Sequence, residues 1–225
     1  MLMDLITGNF QISDLIVHVL SCLVIIFITM PVHEWAHGFI ATKLGDPTPR
    51  YQGRLTLNPF AHIDYLGALS MLFLGVGWAK AVQVNPRNFN NPKIGMAITA
   101  FAGPAANIIT ATISMVFAYI IFVFATPLGI FAVYAWDFFV TIAFYNIYLA
   151  VFNFIPIPPF DGSRILFAIL PDKYYWKVMQ YERILMVIVL ALIASDILTL
   201  PIDTIATAIM NFINEIVSLP FQLFF

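Results

Sequence analysis

The stretch LIVHVLSCLVIIFITMPVHEWAHGFIATKLG, residues 15–45, combines two features. Its first half is apolar and long enough to form most of a helix that crosses the hydrocarbon core of a membrane. Such a helix needs about 20 residues. Its second half carries His33, Glu34 and His37 in the spacing H-E-x-x-H. Because helical residues i and i+4 share a face, the two histidines can reach one metal ion. The stretch therefore predicts metal-ligand chemistry inside a membrane-spanning helix.

The composition of the whole chain also indicates a membrane protein. Of its 225 residues, 61% are hydrophobic and only 10% are charged, whereas a soluble domain has about 25% charged residues. Besides residues 15–32, three apolar runs are long enough to span a bilayer, and they lie at 105–126, 138–157 and 184–202. A shorter run at 66–78 predicts a re-entrant or protein-buried segment. The predicted fold class is an all-α polytopic membrane protein with about four transmembrane helices.

Basic residues indicate how the spans are oriented. All ten lysines and arginines lie in two blocks, at residues 43–93 and 164–183. Cytoplasmic loops of membrane proteins carry an excess of lysine and arginine. We therefore expect an N-terminus outside the cytoplasm, both blocks inside it, and the H-E-x-x-H motif near the cytoplasmic side. No basic patch of the kind that binds nucleic acid is present.

The remaining segments carry weaker patterns. Residues 53–59 and 79–86 flank the short apolar run and alternate in the manner of strands, which predicts a β-like segment between the first two spans. The edge of such a segment could pair with an extended peptide. Residues 202–219 place polar side chains on one helical face, which predicts a C-terminal amphipathic helix at the membrane interface. We expect one membrane-embedded domain over residues 1–225.

A third metal ligand is available at Asp161. A catalytic zinc ion takes three protein ligands and keeps one position open. His33 lies ten residues before Lys43, or about 15 Å along a helix, and Asp161 follows the third span at a similar depth. Charged groups at such depth are costly unless they serve a function. The alternatives are a helix N-cap for Asp161 and hydrogen-bonded structural roles for the histidines, which is how we interpret His18 and His62.

Three motifs in the same order carry a family resemblance. They are HEWAHG at 33–38, GPAAN at 103–107 and NFIPIPPFDG at 153–162. Together they resemble the signature elements of the site-2 protease family of intramembrane zinc metalloproteases. The resemblance covers roughly residues 15–170, which would form the catalytic core, and the chain is similar to the small bacterial members without a PDZ or CBS domain.

The resemblance implies roles for individual residues. It implies one zinc ion per chain, bound by His33, His37 and Asp161, with Glu34 as the general base. It implies that Asn107 holds the substrate or the developing oxyanion. The other motif residues would support the site or line the substrate path, and they are Gly103, Asn153, Pro156 and Gly162.

The resemblance also implies a setting and a substrate. The chain would lie in the bacterial cytoplasmic membrane, surrounded by the lipid bilayer, with its active site toward the cytoplasm. Its substrate would be the transmembrane helix of another membrane protein, cut in regulated intramembrane proteolysis. The residues leave open whether the chain acts alone or as a homo-oligomer.

Three other functions remain open at this stage. A membrane metal transporter also needs intramembrane histidines and carboxylates, although it would spread them along a path across the bilayer. A catalytically inactive relative would bind helices without cutting them, although it would be expected to lose Glu34 first. A membrane hydrolase acting on lipids or prenyl-peptides also uses H-E-x-x-H, although the motif at 153–162 fits it poorly.

Overall fold

A computed structural model describes residues 12–74, 77–125, 127, 129–171, 173, 178, 180–195 and 197–224. We number the α-helices of these residues along the chain: α1 Ile12–Val24, α2 Met30–Lys43, α3 Thr48–Tyr51, α4 Tyr65–Leu74, α5 Pro92–Phe124, α6 Ile130–Asn153, α7 Asp161–Ile169, α8 Glu182–Ala194 and α9 Thr199–Ser218. Short 3-10 turns cover Pro59–Ala61, Pro86–Asn88 and Leu219–Phe224.

The first helical segment runs through a π-helical turn before it reaches the H-E-x-x-H motif. The turn covers Ile25–Thr29 and joins α1 to α2. Pro31 lies in the first turn of α2. Because proline has no backbone N–H to donate to the preceding turn, it disturbs the regular α-helical hydrogen bonding there. Single π-turns of this kind often occur beside functional sites.

Four helices are long and apolar enough to cross a membrane. They cover Leu15–Lys43, Pro92–Phe124, Ile130–Asn153 and Thr199–Gln222. Many large apolar side chains on them are exposed, for example Ile109 and Phe117 of α5. Such a surface suits a lipid solvent, in which helices satisfy their own backbone groups. The predicted all-α polytopic fold with about four spans is confirmed.

The fourth of these helices is not the one that the sequence predicted. The apolar run 184–202 is divided between α8, which is 13 residues long and too short to span a bilayer, and the start of α9. Pro201 lies in the first turn of α9, a favoured position for proline. The segment predicted as an interfacial amphipathic helix is therefore the body of α9. Most of its polar face is exposed, as at Thr207, Asn211 and Glu215, while Asn214 contacts protein, since Tyr119 Oη donates to Asn214 Oδ1 at 2.8 Å.

The predicted β-like segment forms no strand among the described residues. One isolated antiparallel bridge joins Ile63 and Ala79, and the Lys80 amide donates to the His62 carbonyl at 2.7 Å. Alternation was misleading here because the Val82 amide pairs with a side chain of α2 instead of a second strand. The short apolar run contains α4, whose Met71 packs among buried residues of the first span. Its depth in the membrane remains a prediction.

Helix α5 lies at the centre of the packing. It contacts α2, α6 and α7 over much of its length, and α9 packs on α5 and α6. One buried apolar cluster joins α5, α6 and α9, and it includes Ala111, Met115, Ala143, Ile147 and Ala206. The N-terminal half of α5 is therefore free to meet the motif helix and the segment that follows α6.

Candidate metal centre

Three side chains from distant parts of the chain converge on one point. Asp161 Oδ2 lies 3.3 Å from His33 Nε2 and 3.1 Å from His37 Nε2. The two Nε2 atoms are 3.0 Å apart. All three potential ligand atoms lie within 4.8 Å of one another. The sequence predicted these three residues as ligands, and the fold brings their ligand atoms together.

The nitrogen of His37 that faces away from this point has a backbone partner. His37 Nδ1 lies 2.7 Å from the carbonyl oxygen of Thr99 on α5. Because a carbonyl can only accept, the Nδ1 atom carries the hydrogen and the Nε2 lone pair is left for a metal. Metal-bound histidines are commonly oriented by such a contact. Thr99 was missed by sequence reasoning, since nothing in a sequence marks a backbone carbonyl as a partner.

The residues present fit a zinc ion. Among the described residues, Asp161 Oδ2 has no hydrogen-bond partner although it is buried, and unpaired buried polar atoms are costly. Two imidazole nitrogens and one carboxylate oxygen match the donor set of catalytic zinc sites, which leave a fourth position open. Among the described residues, no second group of three such ligands is found.

Asp161 is a first-turn residue and not a cap. It begins α7, whose N-cap is Phe160, and its side chain makes no capping hydrogen bond. Burial alone would raise the pKa of Asp161, but the neighbouring His37 and His33 side chains lower it well below its usual range. The carboxyl group is therefore ionised, which is the form that binds a metal.

Two glycines allow the ligands to come this close. A methyl group on Gly103 would lie 2.6 Å from Cε1 of both His33 and His37, and closer still to Nε2 of His37. A methyl group on Gly162 would lie 2.6 Å from the Ile155 carbonyl oxygen and would overlap Phe154. Gly103 therefore lets α5 press against the histidines, and Gly162 seats the start of α7 on the loop before it.

Glu34 lies beside the ligands but is held from another direction. It is 8% exposed, and its Oε2 atom accepts a hydrogen bond of 2.8 Å from the Val82 amide. That bond uses one carboxylate oxygen and leaves the other free. The sequence predicted Glu34 as a base, but it gave no sign that residue 82 would reach it.

A cavity of about 260 Å³ opens onto these groups. Glu34, Asn107 and Arg164 line it together with the three candidate ligands. Asn107 is buried, and its Oδ1 atom has no hydrogen-bond partner in the part of the chain that the structure describes. The cavity also has walls from the first span, the 77–82 segment, α6 and the 159–160 loop, namely Thr29, Met30, Gly77, Trp78, Ala79, Ala81, Val82, Leu149, Phe152, Asn153, Pro159 and Phe160.

The remaining motif residues separate into two groups. Asn153 lines the cavity and donates through Nδ2 to the Leu149 carbonyl of its own helix at 2.9 Å. Pro156 is exposed and is absent from the cavity wall, which Pro159 reaches instead. The order of prolines in a sequence does not show which of them will face a cavity.

The other two histidines have local partners. His62 is fully buried, and its Nε2 atom lies 2.8 Å from the Thr56 carbonyl oxygen. His18 Nδ1 lies 3.2 Å from Tyr145 Oη, and its Nε2 atom lies 3.6 Å from Cys22 Sγ. These contacts agree with structural roles for both residues.

Comparison with known proteins identifies the class of protein. The profile of peptidase family M50 matches residues 21–195. The chain therefore belongs to peptidase family M50, the site-2 protease family. It is a multi-pass membrane protein of a zinc metalloprotease family.

Two curated relatives agree with this family. The chain is 34% identical over 173 residues to "Putative zinc metalloprotease YwhC" of Bacillus subtilis, which covers 76% of this chain and 79% of that protein. It is 29% identical over 147 residues to "Putative zinc metalloprotease Rip2" of Mycobacterium tuberculosis, which covers 62% of this chain and 53% of that protein. The match thus spans only about half of Rip2. No solved structure matches the chain.

Proposed function

We propose that the chain is an intramembrane metalloprotease that hydrolyses peptide bonds within or near the transmembrane helices of other membrane proteins. The observation that carries this proposal is the convergence of Asp161 with His33 and His37 beside Glu34, where both histidines lie in a helix long enough to span a bilayer. A ligand set at this depth requires water and substrate to meet below the membrane surface. The domain of residues 1–225 would act as one unit, with its catalytic core at about 15–170.

The candidate ligands would each hold zinc through one atom, Nε2 of each histidine and a carboxylate oxygen of Asp161. When bound, zinc supplies a Lewis acid that polarises the scissile carbonyl and makes water a better nucleophile near neutral pH. The Thr99 carbonyl keeps His37 in the tautomer that leaves Nε2 unprotonated. Gly103 keeps both imidazole rings against α5.

Glu34 would move the protons. Its Oε2 atom is held by the Val82 amide, so Oε1 is the atom that would accept a proton from the attacking water. The same atom would then pass that proton to the leaving amine. Asn107 would donate a hydrogen bond from its amide nitrogen to the oxygen that becomes negative, a contribution of up to about 4 kcal/mol for such donors.

The substrate proposed is a transmembrane helix in the cytoplasmic leaflet of a bacterial cytoplasmic membrane. Its amides are hydrogen-bonded, so it must unwind locally before a peptide bond can enter the cavity. The two basic blocks at 43–93 and 164–183 support a cytoplasmic position for the active site. Regulated intramembrane proteolysis is the process in which such a cut would serve.

The test compares cells that carry the native chain, Glu34→Gln or Glu215→Gln by mass spectrometry of new peptide termini in membrane fractions. The glutamine at 34 keeps an oxygen for the Val82 amide and leaves the ligands intact, so zinc content should not change. Glu215 is exposed on α9 and serves as the matched control.

We expect a membrane protein to accumulate uncut in Glu34→Gln cells and to be cut inside a transmembrane segment in the other two strains. Purified chain should reproduce the cut on that protein. A Glu34→Gln strain with unchanged termini, together with purified native chain that leaves every candidate helix intact, would remove the protease proposal. A change in cellular metal or lipid content would then favour transport or lipid hydrolysis.

A further inference from the structure

A second carboxylate lies outside the cavity and reaches the same segment that holds Glu34. Asp46 follows α2 by three residues, is fully buried, and does not line the cavity. Its Oδ2 atom accepts from the Asn85 amide at 2.7 Å, and its Oδ1 atom accepts from Asn88 Nδ2 at 2.6 Å. Burying an ionised carboxylate is costly unless its oxygens are satisfied.

The partners of Asp46 fix the far end of the 79–88 segment. Thr48 adds two local hydrogen bonds, from its amide at 3.1 Å and from its hydroxyl at 2.5 Å. The bonds from Asn85 and Asn88 differ because they cross about 40 residues of sequence. They attach the segment to the end of the helix that carries the H-E-x-x-H motif.

Three backbone amides attach the 79–85 stretch to other parts of the chain. The Lys80 amide donates to the His62 carbonyl, the Val82 amide donates to Glu34 Oε2, and the Asn85 amide donates to Asp46. With no paired strand among the described residues to fix it, its position depends on these separate contacts. The Val82 amide is the middle one and lies between the other two.

The two carboxylates come from one continuous piece of backbone. Glu34 lies in α2, and Asp46 lies just beyond its end. The Val82 side chain also packs over α2, since it would lie 3.6 Å from a methyl group placed on Gly38. The segment therefore lies along α2 between two points that α2 itself fixes.

We propose that Asp46 is a positioning residue for the peptidase reaction, which locks the 85–88 turn so that the Val82 amide holds Glu34 in the orientation for proton transfer. The inference rests on the proposed function for its consequence in catalysis. Its geometric part, that Asp46 controls the Val82–Glu34 contact, stands apart from any activity. Asp46 touches neither the cavity nor the candidate ligands.

Four chains test the proposal, the native protein, Asp46→Ala, Asp46→Asn and the control Asn58→Ala, each full length in lipid nanodiscs. Asn58 lies in the same cytoplasmic-side region, and its side chain accepts from the Phe60 amide, far from Glu34 in the hydrogen-bond network. The Asp46→Asn side chain keeps one acceptor for the Asn85 amide, and its NH2 group can donate to a flipped Asn88 amide, so that only the local bond from the Thr48 amide is lost. Alanine keeps neither.

The first measurement is hydrogen exchange of the Val82 amide. We expect exchange at least about tenfold faster in Asp46→Ala, and near-native exchange in Asp46→Asn and Asn58→Ala. The second is turnover of the substrate found above, where Asp46→Ala should lower kcat about tenfold with KM and zinc content unchanged, the scale typical of residues that orient reacting groups. A variant that was merely less stable would lose zinc and activity together, whereas a positioning role predicts a lower kcat at native zinc content.

Native Val82 exchange in Asp46→Ala would overturn the inference, and so would a kcat loss that follows zinc loss. If Asp46→Ala does not fold, Asn88→Ala removes one of the two long-range bonds without touching the carboxylate and should show the same changes at smaller size. If the native chain cleaves nothing, the proposed function has failed, while the exchange measurement still decides whether Asp46 controls the Val82–Glu34 contact.

Discussion

The Nδ1 atom of His37 lies 2.7 Å from the carbonyl oxygen of Thr99, so a backbone group of α5 determines which nitrogen of this histidine faces the candidate metal site. The same stretch of α5 supplies Gly103, one helical turn further on, against the rings of both histidines. The same helix, α5, thus orients the His37 ring and allows both histidine rings to approach it closely. This arrangement makes α5 as important to the site as the helix that carries the motif.

Gly103→Ala should empty the metal site. The added methyl group would lie 2.6 Å from Cε1 of both histidines and closer to His37 Nε2, so the rings must move away from the position that Asp161 reaches. We expect zinc content to fall at least tenfold and activity to fall with it, measured by elemental analysis of purified protein.

Gly38→Ala is the matched control on α2. Its methyl group would lie 3.3 Å from Pro49 Cβ, which a small shift can accommodate, and zinc content should stay near native. Equal zinc contents in native chain and Gly103→Ala would show that the rings have more room than the structure gives them.

Zinc should stabilise the folded chain, and this effect should depend on Asp161. A ligand that binds only the folded state stabilises by about 2.7 kcal/mol at a hundred times its Kd. We expect chelation to lower Tm and added zinc to restore it in the native chain, measured by thermal unfolding in detergent. Asp161→Ala should show no response to either treatment. A native Tm unaffected by chelator would contradict a resident metal at His33, His37 and Asp161.

Val82→Pro and Val84→Pro should differ sharply. Val82→Pro removes the amide that donates to Glu34. We expect kcat to fall by about one to two orders of magnitude, which is less than the whole rate enhancement that a general base supplies, because Glu34 itself remains. The described part of the chain shows no partner for the Val84 amide, so proline at 84 should cost far less. Rates of cleavage of one purified substrate measure both. Equal losses would favour pairing of substrate along the whole 79–85 edge.

Acid should weaken the attachment at Asp46. Burial alone would raise the pKa of Asp46, but hydrogen bonds from Thr48, Asn88 and Asn85 lower it below its ordinary value of 3.8. Because the folded-state pKa is lowered, the stabilisation is present above about pH 4 and is lost as the pH falls through the folded-state pKa.

Asp46→Asn cannot titrate at this position, so its Tm should fall less between pH 6 and pH 3 than the native Tm does. The control is Asp64→Asn. Asp64 is another carboxylate of this region, which accepts from the Gly67 amide, so this variant shows the effect on Tm of removing a carboxylate at a different position. Parallel Tm curves for native chain and Asp46→Asn would argue against an ionised Asp46 in the fold.

The sequence was most informative about the candidate metal ligands, because their positions follow from helical spacing and from distance along a membrane-spanning helix. The i, i+4 spacing of His33 and His37 and the depth of Asp161 were enough to predict three converging ligands. The partners of those residues were not predictable, because the Thr99 carbonyl and the Val82 amide are backbone groups present at every residue. Asp46 was missed for a related reason, since its burial depends on a turn that only the fold brings to it.

The errors in the fold have physical causes as well. The alternation at 79–86 suggested a strand, yet an extended stretch needs a partner edge, and here its amides bond to α2 and to the turn after it. The fourth span was shifted because hydropathy does not register where a helix begins, and α9 begins at Thr199 with Pro201 in its first turn. The polar face that predicted an amphipathic helix is present on α9, where Thr207, Asn211 and Glu215 are exposed, although Asn214 faces Tyr119 of α5.

Two of the candidate ligands, His33 and His37, lie in the first apolar helix, and the third, Asp161, follows two further membrane-crossing segments. During synthesis, a chain that has inserted only its first two spans holds both histidines and the base but lacks the carboxylate. The third ligand arrives after α6 has crossed and α7 has begun to form on Gly162. Under the proposed function, hydrolytic capacity would therefore be completed only after three of the four apolar helices have been made.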